Sequence, residues 1–101
     1  MYLIQILLPL YTNKGKKFEN YMYISVKEEL TQIFGGVTMY TRSPATGLWK
    51  EDGKIIHDEI ILFEVMIEEI KKSYWDTLKH RLEHMFEQEV IIIRATHFEL
   101  L

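Results

Sequence analysis

Apolar and polar positions change period several times along the chain, and each change marks an element. Tyr2–Tyr11 (YLIQILLPLY) is a β-rich apolar run interrupted by Gln5 and ended by the turn cluster Thr12-Asn13-Lys14-Gly15, so residues 2–11 read as a first strand. From about Lys16 to Phe34 the spacing becomes helical. Phe18, Tyr21, Met22, Val26, Leu30, Ile33 and Phe34 fall on one stripe, with Lys27, Glu28 and Gln32 opposite. Gly35-Gly36 stops that helix, because glycine takes the left-handed C-cap conformation without steric cost. Val37–Arg42 reads as a second strand, interrupted by Ser43-Pro44-Ala45-Thr46-Gly47 as a bulge and resumed over Leu48–Glu51. An Asp52-Gly53 turn then leads into GKIIHDEIILFEVMIE, residues 53–68, with Glu64 the single charge inside the run Ile60–Ile67. A strand apolar on both faces predicts the centre of a covered sheet. A second helix is expected from Ile70 or Ser73 to Gln88, with Ser73 and Asp76 spaced as a capping box and Tyr74, Leu78, Leu82, Met85 and Phe86 as its apolar stripe. Val90–Phe98 is the last strand.

The order β-α-β-β-α-β is the ferredoxin-like plan, an α+β sandwich in a single domain over residues 1–101 with a long hairpin between its second and third strands. Two helices cover one face of an antiparallel sheet and leave the other open. Alternation assigns the faces. Ile4, Ile6, Leu8, Ile61, Phe63, Val65 and Ile67 suit the helix side. Leu3, Gln5, Leu7, Ile60, Leu62, Glu64 and Met66 then point outward, beside Thr38, Tyr40 and Arg42 on one flank and Ile92, Arg94 and Thr96 on the other. A slip of one residue in register would exchange the two sets. The outward face is an apolar field containing Tyr40, Arg42, Gln5, Glu64 and Arg94, and such a patch calls for a cover. Glu64 and Arg94 are either an ion pair at a homo-oligomer interface or part of a polar cluster that orients a ligand between sheets.

Composition narrows the chemistry. The 101 residues are 48% hydrophobic, enough for a core without staples, and contain no cysteine, which removes disulfides and thiolate chemistry. A net charge of −3 argues against a phosphate-backbone partner. The N-terminal run lacks a basic region and a small-residue cleavage site and is too short to span a bilayer, so neither a signal peptide nor a membrane partner is expected, and a cytoplasmic location is. His80 and His84 share a helical face near Glu83 and Glu87, but without a His-Glu-x-x-His pattern they read as a solvated face, and no metal or cofactor is expected. His57, Asp58 and Glu59 look like an acid/base cluster, although alternation separates Asp58 from the other two. Trp49 lies across the hairpin from the His57 region and offers a stacking surface or a subunit anchor. Residues 43–47 carry no phosphate-loop pattern, and no serine has a nucleophile-elbow context.

Gly35-Gly36-x-Thr38, Gly47-x-Trp49, Gly53, an acid at Asp58 or Glu59, and Phe86-x-Gln88-Glu89-Val90 occur in that order. This pattern resembles a family of small bacterial ferredoxin-like domains of unknown function, and the resemblance implies that fold without an established activity. Tyr40, Trp49, Gly53 and Asp58-Glu59-x-x-Leu62 also resemble the long hairpin of CutA-like and PII-like trimers, which implies subunit contacts through the hairpin. The plan is similar as well to dimeric α+β barrels. A homo-oligomer, dimer or trimer, is therefore expected. It would bind a small molecule or a protein through the open face or the hairpin, with Tyr40, Arg42, Trp49, His57, Glu64 and Arg94 as candidate ligand residues. The alternatives are a small cofactor-independent enzyme of the dimeric-barrel type, resembling monooxygenases or isomerases, and a purely structural interaction module. In the enzyme, Arg42 or Arg94 would hold an anionic group and His57 or Glu64 would handle protons.

Overall fold

Alternating apolar residues and two amphipathic stretches build β1 (Tyr2–Pro9), α1 (Asn20–Phe34), β2 (Thr38–Glu51), β3 (Lys54–Ile67), α2 (Lys72–Met85) and β4 (Ile92–His97). This is a computed structural model; it describes the backbone of residues 1–51 and 54–101, and side chains outside residues 41–58. The expected Asp52-Gly53 turn lies outside the described residues. The strands form one antiparallel sheet in the order β2-β3-β1-β4, so the two most apolar strands are central, as expected.

The helix-side assignments hold without a slip. Ile4, Ile6, Leu8, Ile61, Phe63, Val65 and Ile67 are all buried, in one core with Met22, Val26 and Leu30 of α1 and Leu78 and Leu82 of α2. Among the described residues, Phe63 and Phe86 are the largest fully enclosed side chains. Truncating such a residue to alanine typically costs about 3–5 kcal/mol through lost transfer energy and the cavity left behind. Among the described residues, no helix is long and apolar enough to cross a membrane.

The helix boundaries differ from the sequence reading. Helix α1 starts at Asn20 rather than Lys16, because the chain first doubles back. Tyr11 pairs with Lys17, and the Phe18 N–H donates to the Leu10 carbonyl at 3.1 Å. Phe18 still enters the core, but from outside the helix, so it does not set the helical phase. The buried stripe runs through Tyr23, while Tyr21 is 68% exposed and Ile33 also lies outward. Lys71, not Ser73, is the N-cap of α2, and it makes no side-chain capping bond. Trp75, outside the expected stripe, is buried and stacks on Phe34 with ring centroids 5.3 Å apart. The last strand begins later than Val90. Glu87 takes a left-handed φ of 51° after α2, and Ile91 is buried with its N–H donating to Glu83 Oε2.

The irregularity expected in the second strand is present. The β2–β3 register shifts between Tyr40 and Ala45, as a bulge requires. Strand β1 pairs with β3 only over Ile60–Ile67, so among the described residues 54–58 have only residues 47–51 as a partner strand. A two-stranded ribbon of this kind is marginal in water unless another surface covers it.

The two helices are clamped by charge. Arg81 donates through both terminal nitrogens to Glu29, at 2.5 and 2.8 Å, and the Tyr74 hydroxyl donates to the same carboxylate at 2.7 Å. The Arg81 hydrogen bonds hold the Glu29 carboxyl below its ordinary range. A depressed carboxyl stabilises the fold above its unfolded-state pKa and loses that contribution as pH falls through the folded one. The stability difference between wild type and Arg81→Met, measured by urea unfolding, should therefore shrink as pH is lowered from about 5 to about 3. A second comparison tests the helix stop. Gly35 has φ 81° and its N–H donates to the Thr31 carbonyl, whereas the neighbouring Gly36 has no positive φ and open space around it. Gly35→Ala should cost about 1 kcal/mol, and Gly36→Ala should be neutral or slightly stabilising in the same unfolding assay.

Candidate functional site

The open face of the sheet carries three rows of side chains. Leu62, Leu7 and Ile92 lie directly opposite one another on β3, β1 and β4; Glu64, Gln5 and Arg94 form the next row, and Met66, Leu3 and Thr96 the third. The middle row is polar. Arg94 Nε donates to Gln5 Oε1 at 2.7 Å, and Gln5 Nε2 donates to Glu64 Oε2 at 2.8 Å. From the other flank Tyr40, which pairs with Leu62, reaches diagonally to Glu64, and its hydroxyl donates to Oε1 at 2.5 Å. A single hydrogen-bonded chain thus crosses all four strands: Tyr40, Glu64, Gln5, Arg94.

The donors and acceptors fix its orientation. Arginine cannot accept, so Gln5 must turn its oxygen to Arg94 and its NH₂ to Glu64. Both carboxylate oxygens of Glu64 then have a donor. The Glu64 hydrogen bond and negative charge raise the Tyr40 pKa above its ordinary value, because ionising the phenol would remove the donor and place two anions together. Arg94 commits only its Nε, and among the described residues no carboxylate pairs with its guanidinium.

The frame around the chain is apolar and uncovered. Leu3, Leu7, Ile60 and Leu62 are half-buried, and Met66 and Ile92 are 54% and 52% exposed. The structure therefore brings three of the expected site residues together, Tyr40, Glu64 and Arg94. Within one chain, however, Glu64 and Arg94 are not a direct ion pair, because Gln5 stands between them. Gln5 was placed on this face by alternation but not counted among the site residues. A polar residue at the middle of an otherwise apolar central strand is the signal that could have found it.

The side chains of Arg42, Trp49 and His57 lie outside the described residues. Their backbone positions are in the hairpin: Arg42 at the bulge between Tyr40 and Ala45, Trp49 opposite Ile56, and His57 opposite Leu48. Glu59 is exposed. On α2, His80 bonds through Nδ1 to the Asp76 carbonyl at 2.7 Å, and Glu83 pairs with Lys79 at 2.7 Å. Among the described residues, no three His, Asp or Glu side chains gather as a metal set would. The His97 ring meets Tyr2 edge-on at 5.3 Å.

With the geometry in place, comparison with known proteins adds the fold's relatives. No family model matches the chain, and no curated relative does. Solved structures do match. The divalent cation tolerance protein CutA1 from Thermus thermophilus superposes with a TM-score of 0.62 at 16% identity, over 97% of this chain and 84% of that one. The chain shares the CutA fold. A phage SAM lyase in complex with S-methyl-5'-thioadenosine superposes at 0.64 and 12% identity, over 95% and 80% of the two chains. The PII-like protein CutA from Nostoc sp. PCC 7120 in apo form gives 0.57 at 12% identity, over 98% and 82%. These identities carry the fold and nothing finer. The architectural resemblance to CutA-like and PII-like proteins is borne out at that level, whereas the Gly-Gly-x-Thr pattern has no family model behind it.

The chain of hydrogen bonds makes its own prediction. Glu64→Gln should lower the Tyr40 pKa toward that of a free phenol, read as an earlier rise in tyrosinate absorbance on alkaline titration, with Tyr40→Phe identifying the component. An unchanged titration curve would mean that the phenol does not face the carboxylate.

Proposed function

We propose that copies of this chain pack their open sheet faces together, and that the Tyr40–Glu64–Gln5–Arg94 chain is the polar floor of a small-molecule site at that junction. The observation that carries this reading is an ordered polar row set inside an apolar, uncovered face. If the face served only as an interface, leucine or isoleucine in that row would pack at least as well, since replacing buried polar networks by apolar residues is often neutral or stabilising. Arg94 supplies the specificity. Its uncommitted terminal nitrogens suit a carboxylate or phosphate of the ligand. The β2–β3 ribbon beyond Ile60, with no third strand among the described residues, supports the same assembly, because a second copy would cover it. Three copies are favoured over two by the resemblance to CutA-like and PII-like trimers. A ligand other than nucleic acid fits the net charge of −3.

A second reading is favoured by the Tyr40–Glu64 contact. A carboxylate beside a phenol is equipped for proton transfer or for stabilising a cationic centre, and the phage SAM lyase shares the fold. On this reading the site turns its ligand over, with Arg94 or Arg42 holding the anionic group and Glu64 or His57 acting on the reacting atoms.

Two measurements separate these readings. Native mass spectrometry of freshly purified protein should show a multimer with a reproducible excess mass that is lost on denaturation. Arg94→Met should remove the excess mass and leave the multimer; dissociation of the multimer instead would reduce Arg94 to an interface residue. Incubation with S-adenosylmethionine tests the lyase reading. Release of S-methyl-5'-thioadenosine that Glu64→Gln abolishes would support it, and release no faster than in buffer would exclude that substrate.

A further inference from the structure

A second concavity lies on the other side of the sheet, away from the polar row. It has a volume of about 290 Å³ and sits between the start of α1 and the β2 flank. Its origin is the late start of that helix. The Tyr11–Lys17 pairing draws residues 11–18 into a β-like arm, and the helix begins only at Asn20. The space beside that arm has a floor of buried Tyr23 and Ile61, walls of Leu10, Ile24 and Met39, and a rim of exposed Lys17 and Asn20.

Among the described residues, the polar content of this space is small and of one sign. The Tyr23 hydroxyl is already spent, donating to the Pro9 carbonyl at 2.5 Å. Its ring contributes apolar surface, and burial pushes the phenol up to about 12, so it is neutral at ordinary pH. Among the described residues, Lys17 is the one charged member of the lining, and no carboxylate pairs with it. Its position is held from both sides. Tyr11 pairs with its backbone, and the preceding turn is tied by the Thr12 hydroxyl, which accepts from the Lys14 and Lys16 N–H groups. The volume stands at the lower end of the range for small-ligand sites.

We infer that this cavity binds a small amphiphilic monoanion, with its apolar body on Tyr23, Ile24, Met39 and Ile61 and its carboxylate at Lys17. The site is separate from the open face and does not depend on the assembly proposed above. Charge complementarity selects an anion over a neutral or cationic amphiphile, and the apolar floor selects a short aliphatic or aromatic body over a sugar or a phosphate.

The test is methyl NMR on the intact protein, with isoleucine and methionine methyls labelled, titrated with octanoate and, separately, with 1-octanol. Octanoate should give saturable shifts at Ile24, Ile61 and Met39, and Arg94→Met, which removes the anion donor of the open face, should leave those shifts unchanged. Lys17→Met should weaken octanoate about two- to fivefold, the worth of one exposed charge contact, and leave octanol unchanged. Three outcomes would overturn the inference: no saturable shift at those methyls, shifts confined to Met66 and Ile92, or a Lys17→Met variant that binds octanoate as wild type does or loses octanol equally.

Discussion

One constraint governs this molecule: β3 is apolar on both faces, and the chain has helices for only one. Ile61, Phe63, Val65 and Ile67 are sealed under α1 and α2, while Ile60, Leu62 and Met66 on the same strand face the side that neither helix covers. With roughly 25 cal/mol gained per Å² of apolar surface removed from water, several half-buried leucines and two exposed large side chains form a strong drive toward a second layer. The fold's own topology offers none. Both crossover connections carry their helices to the same side, and the second layer proposed here is another copy of the chain.

That constraint also explains the form of the polar row. A carboxylate and a guanidinium placed on an interface are costly unless each is hydrogen-bonded before it is desolvated. Here Gln5 does the bridging. It lies between two strands whose axes are roughly 10 Å apart, twice the spacing of neighbouring strands, and its amide satisfies Glu64 on one side and Arg94 on the other. Tyr40 completes the carboxylate shell. The row is therefore ordered within a single chain, and what it leaves uncommitted is the outer edge of Arg94, facing whatever covers the sheet.

Much of this was legible in the residues. Period-two alternation through Ile4, Ile6 and Leu8 and through Ile61, Phe63, Val65 and Ile67 assigned both faces of both central strands, because a buried face permits no slip. The bulge followed from Ser43-Pro44 and Gly47 inside an otherwise β-rich stretch. The differences lie at the helix boundaries. Phe18 has helical spacing to Met22, but it lies ahead of the helix beside the Tyr11–Lys17 pairing, so a stripe phased on Phe18 takes in exposed Tyr21 and omits buried Tyr23. Ser73 has capping-box spacing, yet α2 begins at Lys72, so the serine falls within its first turn. In the site, alternation could place Gln5, Glu64 and Arg94 on one face but not say which touches which. That depends on strand order and on amide orientation, neither of which is local.

Whether other copies of the chain cover the open face is read from light scattering during size exclusion, on wild type and Leu62→Asp side by side. Leu62 sits in the apolar row beside the polar one and touches the helix-side core nowhere in the alternation, so a charge there should spare the fold and disrupt only what packs on that face. Cover by other copies gives a wild-type mass of at least twice 12.1 kDa and a folded Leu62→Asp monomer. A wild-type protein that elutes as a 12.1 kDa monomer at micromolar concentration, or a Leu62→Asp variant that keeps the wild-type mass, would contradict it.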